Sequence, residues 1–320
     1  MRFSFLAILF LVFKAGYSQF APPANQTGTT AIHKDSSAIV SWASSVVEFQ
    51  RGPQDISAGA PLADFGDSTN ALGVAEGNST DVVSLGDGGV IVLTFQYPIE
   101  NGPGPDFAIF ENSFSHDYLE LAHVEVSTDG INFVRIPSES AIQTDTQTDG
   151  FGSTNASEIH NLAGKYIQGY GTPFDLQDIV DSAGVNLDSI HYVRIIDVVG
   201  SINSAYGSTD AYGTLINDPY PTAFGSGGFD LDAVAVINEN NIFASANQEQ
   251  VNFTIYPNPT NGQIKLKVEG NKVIQLIDIT GKIIAVWEEN PGAINLVELG
   301  LEKGIYLIRI GETSKRVILR

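Results

Sequence analysis

Short runs of β-branched and aromatic residues, separated by turns rich in glycine, make up most of residues 20–238. Residues 90–95 form an almost continuous apolar run that two glycines precede, a pattern typical of a strand buried on both faces. Residues 128–130, Thr-Asp-Gly, lie between two further runs and predict a β-hairpin. Runs of this length between turn residues predict an all-β fold, as a β-sandwich or jelly roll.

Five more segments are predicted as strands: 106–111, the hairpin pair 119–127 and 131–136, 189–199 and 231–237. Residues 37–49 predict a helix, because Asp35 or Ser36 can cap it and Arg51-Gly52-Pro53 can end it. The β-branched residues of that segment leave a strand possible. Two long polar segments, 141–157 and 200–228, are predicted as loops at the rim of the sandwich, where binding sites commonly lie.

Charge is divided unevenly along the chain, whose formal net charge is −21. Residues 20–238 carry 28 acidic and 5 basic side chains, whereas residues 251–320 carry 7 acidic and 9 basic ones. This balance makes nucleic acid and anionic membranes poor partners for the first region. A solvated acidic surface is one interpretation, and binding of cations, Ca²⁺ above all, is the other.

The chain contains no cysteine, so neither a disulfide nor a cysteine nucleophile is available.

The first residues have the pattern of a signal peptide. Arg2 is followed by the apolar run 3–13, which is too short to span a bilayer. The small residues Gly16 and Ser18 predict cleavage between Ser18 and Gln19, with residues 1–18 as the signal. The later sequence contains no segment with the length of a membrane helix, so we expect no transmembrane segment in the mature chain.

Three blocks occur in a fixed order near the C-terminus. They are Tyr-Pro-Asn-Pro-Thr-Asn-Gly at 256–262, an apolar run ending in Thr-Gly-Lys at 273–282, and Lys-Gly-Ile-Tyr-Leu-Ile-Arg-Ile at 303–310. This stretch resembles the type A C-terminal sorting domain of the type IX secretion system of Bacteroidota. The resemblance implies passage through the type IX secretion machinery, followed by release or by attachment to surface lipopolysaccharide.

The sorting domain is expected to be a small Ig-like β-sandwich over 251–320, preceded by a polar linker at 239–250. Alternating apolar and polar residues at 264–268 support strands in this region. The turns of the domain carry the residues that the resemblance assigns to the sorting signal, Pro257, Asn258, Pro259, Gly262, Gly281 and Gly304.

Part of the first domain resembles the galactose-binding-like, discoidin-type jelly rolls. The similar segments are Val-Glu-Val-Ser-Thr-Asp-Gly-Ile-Asn-Phe at 124–133, Tyr-Val-Arg-Ile at 192–195, and the last apolar run at 228–236. That last run is similar to the closing strand of calcium-binding carbohydrate modules. The resemblance implies a jelly roll and does not fix a ligand.

Period-two alternation in the closing strand places Asp230 and Asp232 on the same face as two valines. Carboxylates that point into a core need a cation or strong donors. We therefore predict a Ca²⁺ site at Asp230 and Asp232, completed by Asp106, Glu111 or Asp87 and by backbone carbonyls. Carboxylates that cap turns or face solvent are the alternative.

Tyrosines in the second long loop provide a candidate ligand platform, formed by Tyr206, Tyr212 and Tyr220. Flat rings with polar tips stack on sugars and satisfy hydroxyl groups, although the same rings can hold the loops on the sandwich.

No Gly-x-Ser-x-Gly or His-Glu-x-x-His pattern occurs. The expected function is non-catalytic glycan binding supported by calcium. A structural or adhesive surface protein, or an accessory to nutrient capture beside an outer-membrane transporter, are the alternatives.

Overall fold

The structure is a computed structural model that describes residues 20–240, 253–268, 272–278, 282–311 and 313–320. The chain divides into two compact units between Asn240 and Asn241. Each unit is built from antiparallel strands, so the predicted all-β sandwich class is confirmed. Within the described ranges, no helix is long and apolar enough to cross a membrane.

The first unit contains thirteen strands and three 3-10 helices. The strands are β1 (Ile32–His33), β2 (Ser41–Trp42), β3 (Ser45–Gln50), β4 (Val83–Ser84), β5 (Val90–Ile99), β6 (Phe107–Glu111), β7 (Ala122–Ser127), β8 (Val134–Arg135), β9 (Glu139–Ser140), β10 (Ile159–His160), β11 (Tyr170–Phe174), β12 (Ile190–Asp197) and β13 (Asp230–Val236). The 3-10 helices are Ser68–Ala71, Ala156–Glu158 and Leu176–Ile179.

Two main sheets form the sandwich. One has the order β1-β11-β6-β13-β2, with β4 also paired to β13, and the other has the order β3-β5-β12-β7-β8. One buried cluster draws side chains from both sheets, such as Ile109 and Val234 on the first and Leu93 and Val193 on the second. Burial of this shared core is the main stabilising term of the unit. A separate pair, β9 and β10, lies beside the sheets in the chain's long connections.

The predicted helix at 37–49 is wrong, because this segment forms β2 and β3. Val40 and Val47 are exposed, and the segment pairs with β13 and β5 at the sheet edges. The β-branched side chains fit a pleated strand better than a helical turn, and edge pairing satisfies the backbone. The capping residues therefore did not determine the local structure.

The closing strand β13 does not keep the alternation predicted for it. Its pairing with β6 shifts register between Leu231 and Ala233. Leu231 consequently lies in the same core cluster as Val234, whereas uninterrupted alternation would put them on opposite faces. Asp230 alternates with Leu231 and therefore does not share the core face of the valines, which contradicts the prediction from the sequence; the bulge is the reason.

The second unit is a smaller sandwich with its own core. Its strands are β14 (Phe253–Tyr256), β15 (Gln263–Val268), β16 (Ile274–Asp278), β17 (Ile283–Trp287), β18 (Ala293–Asn295), β19 (Gly304–Ile310) and β20 (Thr313–Leu319). They form one sheet in the order β14-β15-β18 and another in the order β17-β16-β19-β20. Side chains of both sheets, among them Leu266 and Ile308, share one buried cluster.

Candidate functional site: a buried carboxylate cluster and an aromatic rim

Asp197 is the last residue of β12, and its carboxylate is held by backbone donors of two other segments. Gly88 N–H donates to Oδ2 at 2.8 Å and Phe229 N–H donates to Oδ1 at 2.7 Å. Gly228 has φ +75°, and a Cβ there would lie 2.7 Å from Asp197 Oδ1. The left-handed backbone of a glycine thus lets the chain pass close to this carboxylate.

Asp218 comes from the long loop 200–228 and is almost fully buried. Leu121 N–H donates to its Oδ2 at 2.9 Å, which joins the loop to the residue before β7. Gly200 lies against the other oxygen, since a Cβ at that position would lie 1.6 Å from Asp218 Oδ1. The loop can reach the sandwich here because residue 200 has no side chain.

Glu120 lies just before β7 and is only 6% exposed. Its Oε1 is buried and has no hydrogen-bond partner within the described part of the chain. A buried acceptor without a donor is costly, so this atom requires an explanation.

Four carboxylate residues, Asp87, Glu120, Asp197 and Asp218, line one enclosed space. We refer to them as the carboxylate cluster. The space between them does not admit a water-sized sphere. Asp87 also accepts a hydrogen bond from Ile56 N–H at 2.7 Å. The cluster brings together segments of the chain that are far apart in sequence.

Burial dominates the electrostatics of this cluster. Loss of solvent raises the pKa of Glu120 well above its usual value, and the neighbouring charges of Asp230, Glu111, Asp218 and Asp197 add to the effect. Burial likewise raises the pKa of Asp197 and that of Asp218, and it raises the pKa of Asp87 to about 6. The surroundings therefore stabilise the ionised forms of these carboxylates less well than water does.

The five residues predicted for calcium do not form one group. Asp87 lies in the carboxylate cluster, whereas Glu111 and Asp230 interact with each other and with Glu120 beside it. Asp230 accepts hydrogen bonds from Ser84 Oγ and, at 3.0 Å, from Asn112 Nδ2.

Asp106 and Asp232 hold loops instead. Asp106 accepts from the backbone N–H groups of Gly102 and Leu176, both at 2.7 Å. Asp232 accepts from Glu76 N–H at 3.0 Å and from Gly77 N–H at 2.9 Å. Across the described ranges, no three acidic or histidine side chains already lie at metal-coordinating spacing. The calcium site remains a prediction.

The three predicted tyrosines have different environments. Tyr220 is buried and donates its hydroxyl to Asp55 Oδ1 at 3.0 Å, so it holds a loop in place. The ring of Tyr206 lies 6.4 Å from that of Tyr220. Tyr212 is 77% exposed, which leaves its ring free to contact a ligand.

A different set of rings forms a second aromatic surface, in which Phe114, Phe151 and Phe224 are exposed. Phe151 is 75% exposed and its ring centroid lies 5.6 Å from that of Phe224. Phe114 stacks on Tyr118 at 4.7 Å, and the Tyr118 hydroxyl donates to the carbonyl of Gly150 at 3.3 Å. We call Phe114, Tyr118, Phe151 and Phe224 the aromatic rim. Phe151 was not predicted from the sequence, although a single aromatic between two glycines in a polar loop, as at residues 150–152, is a signal that could have found it.

An open depression of about 660 Å³ is lined by residues of the loops that carry Tyr118 and Phe151. Its polar lining includes the side chains of Asp117, Gln143, Ser153, Asn155 and Glu158. Ser153 Oγ donates to Asp117 Oδ2 at 3.1 Å, which ties the two loops together. Another cleft of about 710 Å³, lined by Phe20, His160 and Lys165 among others, has a lysine that already donates to the Ile159 carbonyl.

The residues of the predicted sorting signal lie at turns of the second unit. Pro257, Asn258 and Pro259 follow β14, and Asn258 Oδ1 accepts from Ile318 N–H at 2.9 Å. Gly262 accepts a backbone hydrogen bond from Leu296 at 2.7 Å, and Gly304 begins β19. The predicted residues Ser18, Gln19 and Gly281 lie outside the described residues.

Residues 254–320 match the family described as the secretion system C-terminal sorting domain. No curated protein matches the chain significantly. A solved β-glucuronidase from Ruminococcus gnavus with a C6-substituted uronic isofagomine is 12% identical, covers 88% of this chain and 45% of its own, and has a TM-score of 0.23. Another crystal structure of that enzyme is 13% identical, with coverages of 88% and 44% and a TM-score of 0.20. This chain spans less than half of those proteins, and likeness at this level indicates neither fold nor function.

The structure defines an all-β protein, and the family match over residues 254–320 makes its second sandwich an export domain. Residues 254–320 are a type IX secretion C-terminal sorting domain, as the sequence predicted. The protein is therefore secreted or attached to the outer-membrane surface, and the sorting domain implies interaction with the type IX secretion machinery.

Proposed function

We propose that residues 20–240 are a non-catalytic glycan-binding module of the cell surface, and that calcium supports its structure. The observation that supports this proposal is the aromatic rim, because the loops that carry Tyr118 and Phe151 also contribute residues to a polar depression. Exposed aromatic side chains are costly to hydrate and are commonly used for recognition. Flat rings can stack on the apolar face of a sugar, while amide, hydroxyl and carboxylate groups satisfy its hydroxyls.

The position of the acidic residues favours binding without catalysis. The carboxylate cluster has raised pKa values, the property expected of a general acid, yet it encloses a space too narrow for water. A polysaccharide could not reach these groups. Glycoside hydrolysis needs two carboxyl groups on opposite sides of an accessible bond, so the cluster is better suited to a structural role.

A glycan panel tests this function on the purified protein. We expect the protein to bind one sugar class. The double variant Phe151→Ala/Phe224→Ala should bind that sugar with a dissociation constant at least tenfold larger, because each lost stacking contact is worth on the order of 1 kcal/mol. Ile131→Ala, which removes another exposed apolar side chain on the 129–132 turn, is the matched control and should bind normally. Absence of glycan binding, or equal binding by the double variant, would refute the proposal.

A further inference from the structure

Within residues 20–240, no basic side chain forms an ion pair with the carboxylate cluster. Residues 20–238 contain five basic side chains, Lys34, Arg51, Arg135, Lys165 and Arg194. Each has a partner elsewhere. Lys34 lies near Asp35, Arg135 and Arg194 both pair with Glu125, Lys165 donates to Ile159 O, and Arg51 donates to the carbonyls of Phe65, Ser84 and Gly66. Among the described residues, no ion pair involves a member of the cluster.

Water cannot neutralise the cluster either, because the enclosed space does not admit a water-sized sphere. Backbone donors reach Asp87, Asp197 and Asp218, but Oε1 of Glu120 is buried and receives no donor from the described part of the chain. Only a proton or a cation can then balance the charge. A cation lies about 2.3–2.6 Å from its ligand oxygens, closer than a water molecule, and so needs less space.

We propose that Glu120, Asp197, Asp218 and Asp87 bind one divalent hard cation, and that Glu120 Oε1 is its free ligand atom. The donors are all carboxylate oxygens, which suits Ca²⁺ and excludes a site built for soft metals. Calcium tolerates irregular geometry, whereas magnesium needs a near-ideal octahedron and retains water. Among the described residues no three acidic or histidine side chains lie at metal-coordinating spacing, so binding of the ion requires these carboxylates to move closer together.

The ion would connect four segments of the chain. Asp87 follows β4, Glu120 precedes β7, Asp197 ends β12, and Asp218 lies in the loop 200–228. That loop also carries Phe224 of the aromatic rim, so the ion would hold the rim on the sandwich. This inference deepens the calcium part of the proposed function and does not depend on glycan binding.

Calorimetric titration of the chelator-treated, full-length protein with CaCl₂ provides the first test. We expect one Ca²⁺ per chain and a melting temperature several degrees higher in calcium than in chelator, since a ligand at 100 times its Kd stabilises the folded state by about 2.7 kcal/mol. Binding of no calcium, together with equal melting temperatures, would overturn the proposal whatever the glycan panel shows. An equal response to magnesium would overturn the assignment to calcium.

Two variants test whether a cation or a proton balances the charge of the carboxylate cluster. Glu120→Gln keeps the shape of a protonated glutamate and removes the charge, so it should lose at least tenfold in calcium affinity and most of the thermal shift. Asp145→Asn removes an exposed carboxylate outside the cluster and should respond to calcium as the native protein does. If Glu120→Gln folds and responds like the native chain, Glu120 is not a ligand. If it does not fold, the native titration still decides whether the protein binds one calcium ion.

Discussion

Gly200 is a residue whose lack of a side chain shapes the candidate site. A Cβ at this position would lie 1.6 Å from Asp218 Oδ1 and 2.8 Å from the Asp218 carbonyl oxygen. Gly200→Ala should therefore displace Asp218 and destabilise the protein by about 3 kcal/mol, because overpacking in a tight core costs this much. Urea unfolding monitored by fluorescence measures the change.

A double variant tests whether the clash is with Asp218. In chelator, Gly200→Ala/Asp218→Ala should be more stable than the sum of the two single changes predicts, by about 1 kcal/mol or more. The rescue is partial, since the backbone carbonyl of residue 218 stays in place. If the two changes in the free energy of unfolding were strictly additive, the added methyl group at residue 200 would not clash with the Asp218 carboxylate.

His123 in β7 makes stability depend on pH. It is buried with an unpartnered Nδ1 in the described structure, and burial, aided by Arg135 and opposed by Asp210, lowers its pKa from 6.5 to about 4. The unfolded chain takes up this proton at a higher pH than the folded chain does. His123 should therefore contribute a loss of about 3 kcal/mol in stability as the pH drops from 6.5 to 4.

Urea unfolding of the native chain and of His123→Gln across this pH range, both in saturating calcium, isolates the contribution of the histidine. His123→Gln should remove this part of the pH dependence, because glutamine does not titrate. His116→Gln changes an exposed histidine and should leave the dependence as it is in the native protein. Equal slopes for the native chain and His123→Gln would contradict the prediction.

At the scale of elements, Asn217 fixes the two long loops to each other. Its Oδ1 accepts from Thr148 N–H at 2.8 Å, and its Nδ2 donates to the carbonyls of Gln143 at 2.6 Å and Thr146 at 2.8 Å. The side chain is fully buried, so each group would be left unsatisfied in its absence. Loops of this length can still present a defined surface when such a residue joins them.

Asn217→Ala should destabilise the protein by about 2–4 kcal/mol, because it leaves several buried backbone groups without partners. Hydrogen exchange should become faster in residues 141–157 and 200–228 and stay slow in β5 and β12. Asn203→Ala, which changes an exposed asparagine of the same loop, should cost less than about 1 kcal/mol. Slow exchange in both loops of Asn217→Ala would show that other contacts hold them.

The edge strands and the closing strand show where local patterns are insufficient. Capping residues and spacing favoured a helix at 37–49, but pairing with β5 and β13 selected strands. Alternation in residues 230–236 was broken by a bulge opposite β6. Both outcomes depend on a neighbouring strand that is distant in sequence, and a local window contains no information about that neighbour.

At the scale of the whole molecule, the chain separates an acidic domain from a slightly basic sorting domain. The second unit has its own core, so its removal should leave the first unit folded. Deletion of residues 251–320 should retain the protein in the periplasm, because the sorting domain that the export machinery recognises is then missing. Cell fractionation and surface labelling, with the full-length chain in parallel, measure this. Surface display of the shortened chain would contradict the sorting role.

The sequence by itself determined the all-β class, most strands of the first sandwich, and the export domain. These follow from short-range patterns, namely β-branched runs, turn residues and an ordered set of motifs, all of which are local. Tertiary structure decided which carboxylates meet. Asp87, Glu120, Asp197 and Asp218 are up to 131 positions apart, and nothing in their flanking residues distinguishes them from the other 24 acidic residues of residues 20–238. Only the folding of distant segments around one enclosed space brings them together and buries them.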